Sequence, residues 1–139
     1  MGKPYQLDDQ IGHLLRRAHQ RASSIFLEAF GDADLTPTQW AALARLREHG
    51  TLSQNHLGRL TAMDPATVQG VIRRLVRRGL VERTPDAEDR RRTALCLSPE
   101  GAELVERLFG VGQHVSADTL APLSAEERKA FLVALGKIS

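Results

Sequence analysis

Eight arginines (Arg73, Arg74, Arg77, Arg78, Arg83, Arg90, Arg91 and Arg92) fall within a stretch that holds four acids, Glu82, Asp86, Glu88 and Asp89. That stretch carries +4 in a chain of 139 residues whose formal net charge is +2, so the remainder is slightly negative. A positive field concentrated in one place is what a polyanionic partner requires. A helical projection of Pro65 to Arg78 puts Val68, Val71, Ile72, Leu75 and Val76 on one arc and Ala66, Gln69, Gly70, Arg73, Arg74 and Arg77 on the opposite one. Such a helix can bury its branched apolar side and offer the other to double-stranded DNA. Thr67, Gln69 and Arg73 are the candidates for base edges, since glutamine pairs bidentately with adenine and arginine with guanine. Arg74, Arg77 and the amides beginning at Ser53 are placed to hold phosphates, which set register without carrying sequence information. Asp89 and Arg91 stand two apart in a polar loop, where the carboxylate can hold the guanidinium in one rotamer.

A second set of residues could receive a small anion. Arg16 and His19 on the first apolar helix, Phe26 further along it, Trp40 on the next helix and His49 at that helix's end combine cationic groups with aromatic surface. This is the chemistry that holds the carboxylate and ring of an aromatic acid. Cys96 stands alone between Leu95 and Leu97, which excludes an internal disulfide framework and a multi-cysteine zinc site. His13, His56 and His114 lack metal-ligand spacing with carboxylates, so no metal or other cofactor is expected. There is no nucleophile elbow, phosphate-cradling glycine loop or pair of catalytic carboxylates, and an enzyme is not expected. Six aromatics are too few for a base-stacking single-strand surface. Two other readings stay open: a protein-interaction module whose arginines grip an acidic partner, and an oxidation sensor resting on Cys96.

The elements that must position these groups can be read in order. Ile11, Leu15, Ala18, Ala22, Ile25, Phe26 and Ala29 recur at helical steps, predicting a long amphipathic helix over 7–30, closed by Gly31 and Asp32. Thr36-Pro37-Thr38-Gln39 reads as a capping box with proline at the first helical position, and the helix it opens should stop at Gly50. Ser53 caps a short helix over 55–60 with Leu57 and Leu60 inward, and Asp64-Pro65 opens the basic helix, which ends at Gly79. Residues 80–83 and 93–97 should pair as an antiparallel hairpin around the loop 84–92. Ser98-Pro99 starts a further helix, in which Gly110 and Gly112 suggest a bend or a close helix contact, and Ser124 to Glu127 caps a last one. The expected fold is mainly α with a small β-hairpin: a winged helix-turn-helix of four helices, two strands and two further helices. Across one chain of 1–139, residues 36–98 are expected to form the DNA-binding lobe, and 5–31 with 99–139 a separate helical region. No window approaches the roughly 20 apolar residues of a membrane span, and a cytoplasmic protein is expected.

Gly79-Leu80-Val81-Glu82-Arg83, Asp86, Asp89-Arg90-Arg91, Leu95, Leu97-Ser98 and Gly101 together resemble the "GLVxR…DxxDRRxxxLxLTxxG" signature of the MarR (multiple antibiotic resistance regulator) family. Ser98 replaces the usual threonine. The run from Tyr5-Gln6-Leu7 through Arg16-Arg17-Ala18-His19-Gln20-Arg21 is also similar to members that respond to aromatic acids. The resemblance implies a homodimeric repressor, built by interleaving the first helix with the last two, that binds a pseudo-palindromic operator. It further implies that Arg91 enters the minor groove, that Arg90 contacts a flanking phosphate, and that an effector sits between the dimer helices and the DNA-binding lobe. Gly70 departs from the pattern, because several members carry a base-reading arginine there, so the site must be read differently, with Gln69 and Arg73 carrying the work.

Overall fold

The computed structural model describes residues 2–139. Two compact units form, one from the chain up to Asp32 together with Val111–Ser139, the other from Ala33–Gly110.

In the second unit, α2 (Pro37–His49) begins at the expected capping box. Thr36 Oγ1 accepts from the Gln39 amide and Gln39 Oε1 accepts from the Thr36 amide, with Pro37 in the first turn. Gly50, at φ +78°, ends the helix. Then follow β1 (Thr51–Ser53), α3 (Gln54–Leu60) and α4 (Pro65–Arg77). Beyond them come β2 (Val81–Pro85), β3 (Thr93–Leu97) and α5 (Pro99–Thr119). The strands form one antiparallel sheet in the order β1-β3-β2, with Leu52 opposite Leu95 and Val81 opposite Leu97. The expected hairpin is present, with its first strand shifted to 81–85. The third strand was not expected: at three residues β1 is too short to show an alternating pattern. Leu43, Leu46, Leu57, Ile72, Leu75, Leu95 and Val105 are fully buried, each contributing roughly 1.5–3 kcal/mol. Leu60 and Val76 are only partly buried.

The turn from α4 into the sheet is held at several points. The Gly79 amide donates to the Val76 carbonyl and the Leu80 amide to that of Leu75, the paired bonds of a glycine C-cap, and Gly79 supplies the positive φ of +74°. The buried Ser98 hydroxyl donates to the Gly79 carbonyl at 2.5 Å and accepts from the Gly101 amide at 2.9 Å. A Cβ on Gly101 would run into the Leu80 carbonyl. The spaced glycines and serine of the signature are thus one latch that fixes the hairpin against the end of α4 and the start of α5.

In the first unit, α1 spans Ile11–Phe30 and α6 Ala125–Ile138. The first helix starts later than expected. Leu7–Asp9 is a separate 3-10 turn, Gln10 is extended, and the Gln10 and Asp9 side chains bond backward to the Gln6 carbonyl and Lys3. Arg21 donates to the carbonyls of Asp118 and Thr119, satisfying the end of α5. A capping box of Ser124 and Glu127 opens α6, and the Ser124 amide and hydroxyl hold the Glu127 carboxyl below its usual pKa. The helix α5 runs on through Gly110, where an added Cβ would meet nothing within 4 Å, so no close contact requires that glycine.

Candidate nucleic-acid interface

The helix α4 is anchored at its start by Asp64. Its Oδ1 accepts from the Thr67 amide at 2.8 Å and its Oδ2 from the Thr67 hydroxyl at 2.9 Å. These bonds hold the Asp64 carboxyl below its ordinary pKa, so it is ionised and accepts only. Val68, Val71, Ile72 and Leu75 are buried, while Thr67, Gln69, Arg73, Arg74 and Arg77 are exposed. The apolar arc seats the helix, which leaves the polar arc free as a surface. Arg78 belongs to the same charge run but is otherwise engaged: its guanidinium donates to the carbonyls of Asp34 and Ala33 at 2.6 and 2.9 Å. That tie fastens the end of α4 to the approach to α2, and nothing in local sequence signals it.

The same unit carries the loop between β2 and β3. Asp86 Oδ1 accepts from the amides of Glu88 and Asp89, and backbone bonds join Asp86 to Arg92 and Arg92 to Asp89. Asp89 Oδ1 then takes two donors from Arg91, its amide at 3.0 Å and its Nε at 3.2 Å. The Arg91 side chain is 91% exposed, so its guanidinium is directed by Asp89 yet lies open to a partner. Arg90 is exposed as well. The i, i+2 arrangement inferred from sequence is therefore present in geometry.

On the other side of the wing, a cleft of about 450 Å³ is lined by Ser53, Gln54, Asn55, Arg59, Arg92 and Thr93. The Ser53 hydroxyl accepts from the His56 amide and so caps α3. Capping chemistry marks Ser53 in the sequence, whereas Arg59 carries no local signal and Arg92 reads only as part of the charge run. Folding β1 alongside β3 is what brings these cations beside Ser53.

The residues expected to hold an aromatic acid are distributed. His19 lines a largely apolar cleft of about 590 Å³ in the first unit, with Leu15, Ala18, Ala22, Val115, Leu120, Phe131, Leu132 and Leu135. The His19 ring stands 3.5 Å from the Ser23 hydroxyl. Arg16 does not line this cleft, and its guanidinium lies 3.5 Å from the His13 ring. Phe26 is buried and stacks on Phe30 at 4.1 Å between ring centroids, so Phe131 is the aromatic wall here. Trp40 and His49 belong to the second unit, where Trp40 is half-buried and the His49 ring faces that of His56 at 6.1 Å. Cys96 is half-buried on β3, opposite Thr51 and Glu82 in register. Among the described residues no group of three or more His, Cys, Asp or Glu is arranged to hold a metal ion, and no helix is long and apolar enough to cross a membrane.

Residues 33–92 match the profile of the MarR family. The transcriptional repressor NicR of Pseudomonas putida is 40% identical over 135 residues, which is 97% of this chain and 85% of that one. A solved structure concerning regulation of DNA binding of BpsR, from Bordetella bronchiseptica, by 6-hydroxynicotinic acid matches with a TM-score of 0.92 at 39% identity, covering 98% of this chain and 97% of that one. A cysteine-to-serine variant of MarR from E. coli, complexed with operator DNA, matches with a TM-score of 0.85 at 26% identity over 92% of each chain.

Proposed function

Because the chain belongs to the MarR family, whose members similar to it include transcriptional repressors, we propose that it is a dimeric, cytoplasmic, sequence-specific repressor released from its operator by a small aromatic carboxylate. The observation that carries the DNA-binding part is the exposed cationic arc of α4 in one unit with the Asp89-directed Arg91. Two copies of α4 read the halves of a pseudo-palindrome about one helical turn apart. Gln69 and Arg73 meet base edges with Thr67, and Arg74, Arg77, Arg90 and the Ser53 end of α3 hold phosphates. Arg91 enters the minor groove, where a narrow A·T tract concentrates negative potential.

For the effector, support comes from the cleft in the first unit. It is apolar and offers the His19 imidazole, a partner for a carboxylate or for a ring nitrogen or hydroxyl. The BpsR comparison points to a hydroxylated pyridine carboxylate as the first compound to try. Arg16 stays a candidate through rotation of its exposed side chain toward an anion, and Phe26, Trp40 and His49 stay candidates on their residue types, none of them lining this cleft. A ligand that favours the DNA-incompetent arrangement by a few kcal/mol is sufficient for release.

The test is to select the preferred duplex from a random pool, then titrate the complex with aromatic acids, 6-hydroxynicotinic acid first, while following the melting temperature of the free protein. Enrichment of a palindromic site and release by one acid that also raises the melting temperature are expected. Failure of the whole panel to do either would refute the aromatic-acid reading while leaving the DNA-binding reading to stand on the selection.

A further inference from the structure

On the reading face of α4, one side chain has its polar group already committed. Thr67 is exposed, yet its hydroxyl hydrogen is donated to Asp64 Oδ2, and its amide goes to Asp64 Oδ1. A threonine free on a helix surface can donate to a base; this one can do so only by giving up its bond to Asp64 Oδ2. What it retains for a partner is the Cγ2 methyl and the spare acceptor capacity of Oγ1. One turn later on the same face is Gly70, where an added Cβ would meet nothing within 4 Å. No packing inside the chain calls for glycine there, and glycine in a helix interior is unfavourable relative to alanine. Ala66 adds only a methyl beside them. The first half of α4 thus presents a small apolar patch with an open space, and the long polar groups begin at Gln69 and Arg73. In helix-turn-helix docking it is the N-terminal residues of the reading helix that meet base edges. The group in the major groove that fits a methyl and an empty space, and forms no hydrogen bond, is the 5-methyl of thymine.

We propose that Thr67 and Gly70 select thymine in each half-site by apolar contact, Thr67 through its methyl and Gly70 by leaving room for the base to approach the helix. This rests on the DNA-binding reading and refines it: Gln69 and Arg73 read by hydrogen bonds, and Thr67 with Gly70 reads by shape.

The experiment uses the full chain and the duplex selected above. Each thymine of a half-site is replaced in turn by deoxyuridine, which removes only the 5-methyl, and binding is titrated. One position per half-site should lose about fourfold, the value of burying one methyl group. Thr67→Ser keeps the hydroxyl for Asp64 and deletes the methyl, so the thymine-to-uracil ratio at that position should fall to about one. Thr67→Val keeps the methyl, so the ratio should persist even if overall affinity drops with the weakened cap. Gly70→Ala should raise the melting temperature and lower operator affinity, opposite signs that a purely structural glycine would not give. An unchanged ratio in Thr67→Ser, a lost ratio in Thr67→Val, or no thymine sensitive to demethylation would overturn the proposal. A failure to select any duplex would instead count against DNA binding itself.

Discussion

Asp89 is an acid inside the region meant to meet a polyanion, so simple charge counting says that removing it should improve binding. The geometry says the reverse. Its Oδ1 holds both the amide and Nε of Arg91, fixing a side chain that is otherwise almost wholly in solvent. Ordering a long side chain at an interface costs roughly 0.5–1.5 kcal/mol. Asp89→Ala should therefore weaken operator binding about three- to tenfold although it removes a negative charge, and it should leave the salt dependence nearly unchanged. Arg91→Ala should weaken binding and also reduce the slope of log affinity against log salt by about one. Titrations at several salt concentrations separate the two, and tighter binding by Asp89→Ala would remove the clamp from the account. This pair was legible in sequence because both partners lie on one short loop. Arg78 was not: its acceptors are carbonyls 44 and 45 residues away, and a charge run looks the same whether its last member faces solvent or the chain. The effector residues were the least legible, since helical periodicity put Phe26 and His19 on one stripe but could not show that Phe26 would spend its ring on Phe30.

At the scale of elements, the latch around Ser98 decides where the wing stands relative to α4. The Ser98 hydroxyl is buried and satisfied from both sides, by the Gly79 carbonyl and the Gly101 amide. Ser98→Ala would leave those two backbone groups short of a partner, a loss of about 1–3 kcal/mol. Gly101→Ala should do at least as much harm, because its Cβ meets backbone that cannot swing aside. Urea midpoints should fall for both with the slope preserved, and a midpoint as high as wild type for Gly101→Ala would show that the close approach is not real. Helix starts were readable because capping chemistry is local: Thr36 with Gln39, Asp64 with Thr67 and Ser124 with Glu127 each span three residues. The strand β1 was hidden because its partner, β3, lies more than forty residues downstream and its own three residues carry no period. Only after pairing does Leu52 become a core residue opposite Leu95.

At the scale of the molecule, the first unit leaves much of its apolar surface uncovered. Tyr5, Leu7, Ile11, Leu14 and Leu15 near the start of the chain, and Phe131, Leu132, Val133 and Ile138 near its end, are all exposed. Scattered apolar residues need no explanation, but two helices exposing such runs in one unit do. In the proposed dimer a second copy supplies the same surface in return, as a two-fold interface requires. Ile11 and Val133 are 63% and 56% exposed in the single chain, so changing either to glutamate should cost an isolated subunit little. In a dimer each charge would be carried into an apolar contact twice. Light scattering should give the wild type at about twice its 15.3 kDa and the double variant Ile11→Glu/Val133→Glu at the single value. The wild-type melting temperature should rise with protein concentration and that of the variant should not. Operator affinity should fall in the variant toward that of one half-site, because two reading helices are no longer delivered as one linked pair. If the double variant keeps its dimer mass, these faces are not what joins the subunits, and the spacing between the two α4 helices must be set by some other part of the chain.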